Sequence, residues 1–189
     1  MNSAKTQMPA KVAIKLHQLD TDLTLLLEVL KDYSEKTLNK KPAEDKWSVL
    51  QIMQHLILVE GYGQSYVEKK LSFNPELKKA GFPVVWRTFL MKTYLKFPIK
   101  INAPEAVSGE SLPEYSSFWD TAKKWKHQRE SLKAMFENMP PEHYDKELYK
   151  HPIAGKLTLN GLLDFNISHF ARHKKQINKI LKKSFKIND

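Results

Sequence analysis

The sequence predicts an all-α protein, a four-helix bundle with a long crossover between helices two and three. Three observations carry that expectation. Apolar residues recur at steps of three and four over four separate stretches, which is the period of an amphipathic helix. Glycine occurs only six times in 189 residues, too rarely for a turn-rich β protein. Pro75, Pro83, Pro98, Pro104 and Pro113 gather in one segment, residues 71–113, and divide it into short pieces. A chain of this length with 41% hydrophobic residues supports one sizeable core, so a single domain over 1–189 is expected.

The first helix is expected from about Lys11 to Leu38, on the stripe Val12, Leu16, Leu19, Leu23, Leu26 and Leu30. The polar stretch Asn39 to Lys46, with Pro42 inside it, reads as the loop that follows. Ser48 and Gln51 then have the form of a capping box, in which each side chain satisfies the other's free backbone N–H. A second helix starts there and runs to about Lys70 through Ile52, Met53, Leu56, Val59 and Tyr62. Gly61 and Gly63 within it cost roughly 1 kcal/mol each relative to alanine. His55 shares its apolar stripe and is therefore expected to point inward.

Within the crossover, Val84 to Phe97 reads as one short helix, with Arg87, Lys92 and Lys96 among Trp86, Phe89, Leu90 and Leu95. Packing over one end of the bundle is the favoured account, since parallel neighbours in a bundle need a long connection; a membrane-surface role is the lesser one. Ser111 and Glu114 suggest a capping box for a third helix from about Glu114 to Asn138, with Phe118, Trp125, Leu132, Met135 and Phe136 in the core. Pro140 and Pro141 stop it. The connector Glu142 to Lys156 contains His151-Pro152-Ile153-Ala154-Gly155, a turn signature. Thr158 is placed to cap a fourth helix running from Leu159 to about Ser184.

Composition narrows the chemistry. The chain has no cysteine, which excludes disulfides, a zinc–thiolate site and a protein thiol nucleophile. Met1 to Lys15 lacks the continuous apolar core of a signal peptide, and no run approaches the roughly 18–20 apolar residues of a membrane span. The cytoplasm is the expected compartment. The net charge of +10 invites nucleic acid, yet no binding motif or stacking platform accompanies it. Lys174, Lys175, Lys179, Lys182, Lys183 and Lys186 mostly fall away from the apolar stripe of the last helix, as a solvated face would.

His169 and His173 stand four apart in that helix and so lie one turn apart on one face. They share the inward line of Leu159, Leu162, Asn166, Gln176 and Ile180, so polar groups interrupt an apolar stripe. Left unsatisfied, each would cost on the order of 1–3 kcal/mol. A metal ion on His169, His173 and His55 would satisfy the imidazoles together and leave open positions for water or substrate. A lone inward histidine is more often a hydrogen-bonded core residue, and on the residues alone both readings of His55 stand. Gln51 and Asn166, near His55 and His169, are candidates for orienting the ligands. His151 serves chiefly as part of the turn, with a place at the mouth of the site as the lesser reading. His17, His127 and His143 read as surface groups, and Tyr62, Tyr66, Trp86, Phe89 and Arg172 as candidate pocket walls.

Trp47-Ser48 followed by His55-Leu56, the loop His151 to Gly155, and His169-Phe170-Ala171-Arg172-His173 with Gln176-Ile177 together resemble the DinB-like superfamily of metal-binding four-helix bundles. The resemblance implies a metal triad of His55, His169 and His173. Its metal is expected to be a divalent transition metal, zinc or nickel first and manganese or iron after them. The resemblance also implies a metal-dependent enzyme that activates a low-molecular-weight thiol or water for S-transfer or hydrolysis, after the bacillithiol S-transferases and metal hydrolases of that superfamily. The alternative is a non-enzymatic stress-response module whose metal is structural. Two departures separate the chain from many relatives: Asn160 and Gly161 stand where an acidic residue is common, and Lys174 where a histidine sometimes follows the last ligand. The expected partner is a small-molecule substrate, a thiol among the candidates, with neither nucleic acid nor membrane and with room for a homodimer.

Overall fold

The computed structural model describes residues 8–97 and 112–185. Its elements are helices α1 (Ala10–Leu30), α2 (Glu35–Asn39), α3 (Val49–Ser72), α4 (Phe82–Lys96), α5 (Phe118–Glu137) and α6 (Leu159–Phe185), a 3-10 turn at Pro141–His143, and strands β1 (Tyr149–His151) and β2 (Gly155–Leu157). The four long helices α1, α3, α5 and α6 close a ring of contacts, α1 on α5 and α6, and α3 on the same two. That ring is the bundle the periodicity predicts. No helix among the described residues is long and apolar enough to cross a membrane.

The expected first helix is two helices. α1 ends at Leu30, and Ser34 then turns extended and caps α2, its side chain accepting from the Thr37 N–H. The apolar stripe crosses the break because Leu38 of α2 returns to full burial. α3 begins as predicted: Gln51 N–H donates to Ser48 Oγ and Ser48 N–H to Gln51 Oε1, both at 3.1 Å. Tyr62, placed on its inner stripe, is 51% exposed instead. Gly63 has a packing reason, since a Cβ there would meet Leu162 Cδ1 of α6 at 2.8 Å. α5 starts at Phe118 and not at Glu114, capped by Ser117. Ser111, with Pro98 and Pro104, lies outside the described residues.

The crossover does contain a helix, α4, and it packs along α6 and β2. Asp164 of α6 fixes its place through Lys92 at 3.2 Å and also receives Lys15 of α1 at 2.7 Å. The connector into α6 is a small antiparallel hairpin, β1 paired with β2, where the sequence announced only a turn. Gly155 there has φ +78°, the left-handed region that a side chain disfavours. Thr158 caps α6 as expected, accepting from the Gly161 N–H at 3.0 Å.

One buried feature had no local signature. Glu60 of α3 meets Arg129 of α5 in two parallel hydrogen bonds of 2.6 and 2.8 Å, and Trp125 Nε1–H donates to the same carboxylate at 3.2 Å. Both charged groups are almost wholly buried.

Candidate metal centre

The capping box fixes where α3 begins, and so fixes the face on which His55 stands. That face meets the side of α6 carrying His169 and His173. His169 Nε2 lies 3.0 Å from His173 Nε2 and 3.4 Å from His55 Nε2. One ligand atom from each of the three rings falls within 4.8 Å of the others, so the group could hold one metal ion. His55 and His173 are buried, and His169 keeps an edge toward solvent. Among the described residues, this is the group of metal-ligating side chains that converges so closely.

The electrostatics suit ligation. Burial pushes His173 down to about 3 from an ordinary value near 6.5, with His55 and Arg172 adding to the effect and the Gln176 hydrogen bond opposing it. Burial also holds His169 well below that value, helped by His173 and His55. These imidazoles are therefore neutral at physiological pH, the form that binds metal. Gln176 Oε1 stands 3.0 Å from His173 Nδ1, and an amide oxygen only accepts. His173 Nδ1 therefore carries the hydrogen, and its Nε2 presents a lone pair to the other two rings. Nitrogens this close must share one N–H or turn their lone pairs toward a common cation, and three imidazoles suit zinc, nickel or iron.

The contact that orients His173 is made by Gln176. Gln51 Oε1 is committed to the capping box. Asn166 is buried with its side-chain nitrogen and oxygen both lacking a hydrogen-bond partner. Gln176 was visible on the inward line of α6, and its position three residues after His173 is the signal that could have assigned it. Two aromatic walls were missed. Trp47 lies with its ring 4.7 Å from that of His55, and Phe165 stacks on His169 at 5.1 Å.

All three histidines open onto one cavity of about 1500 Å³. α4 supplies a wall through Arg87, Leu90, Met91, Tyr94 and Leu95, with Phe97 just after it, and Tyr62, Tyr66 and Arg172 line it as anticipated. Trp86 and Phe89 do not. They stack on each other at 5.6 Å on the outer side of α4, because the residues facing the cavity recur at helical spacing from Arg87 through Leu90 and Met91 to Tyr94.

His151 both shapes the turn and lines the cavity. Its Nδ1 accepts from the Ile153 and Ala154 N–H groups at 3.1 and 3.0 Å, and its ring stands 4.4 Å from Phe165. Burial lowers its pKa to about 4. His17 and His127 are exposed as expected, whereas His143 is half-buried in the 3-10 turn with Nδ1 unpartnered.

Comparison with known proteins agrees with this architecture. A family model described as the DinB superfamily matches residues 18–177, a span that contains all three histidines. The chain is also similar to the uncharacterized protein YuaE of Bacillus subtilis (strain 168), with 24% identity over 157 residues that cover 82% of this chain and 89% of the relative. With the family model matched over most of its length, the chain belongs to the DinB superfamily.

Proposed function

We propose that this protein is a metal-dependent enzyme in which Nε2 atoms of His55, His169 and His173 hold a divalent transition metal, and a low-molecular-weight thiol or a water molecule is activated there for S-transfer or hydrolysis. The observation that carries the reading is the convergence of three imidazoles, two of them buried, on the wall of a large cavity. Zinc and nickel are the first candidates, manganese and iron the next. When bound, such a metal lowers the pKa of water from about 15.7 toward about 7, while a thiol starts nearer about 8.5 and needs less help.

The chain's own residues supply positioning. Gln176 holds the His173 tautomer, and Trp47 and Phe165 limit water around the rings. With no cysteine in the chain, a thiol nucleophile arrives from outside. The breadth of the cavity beside the histidines supports a catalytic metal over a structural one, which needs no access.

Turnover is the test. Metal-loaded protein is offered small thiols with monobromobimane, and separately p-nitrophenyl acetate with water. The reading predicts metal-dependent product formation that His169→Ala abolishes. Turnover that survives complete metal removal, or is absent with every loaded metal, contradicts it.

A further inference from the structure

The cavity is far larger than a water or a small thiol requires, and its charge is one-sided. Among the described residues that line it, the cations are Lys46, Lys69, Arg87, Lys150 and Arg172, against a single acid, Asp45. Lys46 pairs with that acid, and Arg172 donates to the Phe97 carbonyl at 3.0 Å. Arg87 and Lys69 have no carboxylate partner among the described residues.

These two cations stand toward the hairpin end of the cavity. Arg87 lies over the hairpin turn, its Cδ 3.9 Å from where a Cβ on Gly155 would stand. Lys150 of β1 borders the cavity as well, but its side chain alternates to the face opposite Tyr149 and His151. Lys69 is near the C-terminal end of α3, one turn after Tyr66, whose ring meets Tyr149 of β1 at 5.7 Å. A ladder of rings connects this end with the metal centre: His169 to Phe165 at 5.1 Å, Phe165 to His151 at 4.4 Å, His151 to Tyr149 at 6.2 Å, then Tyr66. The exposed polar surface of the cavity is small beside its aromatic and aliphatic walls.

From this arrangement we infer that the cavity binds an amphiphilic anion, an aromatic or aliphatic body laid along the ring ladder with a carboxylate, phosphate or sulfonate at the hairpin end on Arg87 and Lys69. The inference rests on the proposed function for the claim that the ligand's other end reacts at the metal; the binding itself does not. Apolar burial supplies most of the affinity, and the uncompensated cations select the sign of charge.

Three matched probes test it: 4-phenylbutanoate, 4-phenylbutan-1-ol and 4-phenylbutan-1-amine, titrated calorimetrically into metal-free and zinc-loaded protein. The carboxylate binds tightest and the amine weakest, with roughly a fivefold gap between carboxylate and alcohol, modest because the cations face solvent. The gap narrows as salt rises to about 0.5 M. It disappears in the Arg87→Gln, Lys69→Gln double variant and persists in Lys133→Gln, which removes an exposed charge on α5. Equal binding of the three probes, no binding of any, or a gap that survives the double variant overturns the inference. The metal-free titration keeps the two proposals apart. Protein that takes up no metal yet retains the gap removes the enzyme reading alone, and protein that binds metal without the gap removes this one alone.

Discussion

Two polar clusters interrupt the apolar interior of this bundle, and they are built in opposite ways. Glu60, Arg129 and Trp125 satisfy the carboxylate, which accepts three hydrogen bonds from two residues of α5, and the pair cancels its own charge while Arg129 Nη1 stays buried without a hydrogen-bond partner. His55, His169 and His173 do the reverse, bringing ring nitrogens of three like side chains within 3.0 and 3.4 Å of one another. A cluster that closes on itself fixes how α3 sits against α5. A cluster that turns ring nitrogens toward one another has the donor set for a cation, and it lies where the interior opens to the cavity.

The largest effect should come from breaking the closed cluster. Arg129→Ala leaves Glu60 buried without its counter-charge and should cost about 3–5 kcal/mol in urea denaturation, whereas a Glu60→Leu, Arg129→Met pair should recover most of that. If Arg129→Ala costs less than about 1 kcal/mol, the pair is not what holds α3 to α5.

The open cluster should respond to pH. An ordinary imidazole titrates near 6.5, and burial lowers His173 to about 3 and His151 to about 4 in the folded chain. Between those values and 6.5 the unfolded chain therefore binds more protons than the folded one. Stability of the metal-free protein is full above about pH 6.5 and falls as pH drops below it, by at most about 1.4 kcal/mol per pH unit for each such histidine. A urea midpoint that holds steady from about pH 7 to about pH 5 contradicts neutral, buried imidazoles.

The scaffold that carries the sites should yield smaller changes. Gly155→Ala forces a side chain into the left-handed region and should cost about 1–2 kcal/mol. Removing the cap in Thr158→Ala should cost about 1 kcal/mol. Thermal melts of the two variants check both, and the order would reverse if the hairpin turn could relax.

Much of this was legible because helices write their inner face into the chain. The stripes of α1, α3, α5 and α6 were readable, and so was the His169–His173 pair, since spacing of four is a local property. The join of His55 to that pair was less so, because it depends on which helices become neighbours. The Glu60–Arg129 pair was invisible for the same reason, being 69 residues apart in sequence. Ser34 was missed as a cap because Leu38 continues the apolar rhythm across the break. The hairpin strands are three residues each, too short to show alternation. On α4, aromatic residues occur on both sides, so composition could not tell Tyr94, which faces the cavity, from Trp86 and Phe89, which do not.

We propose that three imidazoles from α3 and α6 form one metal site. Elemental analysis of tag-free protein after reconstitution and desalting tests it most directly, with His55→Ala, His169→Ala and His173→Ala in parallel. Close to one equivalent of a divalent transition metal per chain is expected in the parent, and about a tenth or less in each variant that remains folded. Less than about a tenth of an equivalent in the parent, or full occupancy in all three variants, would contradict it.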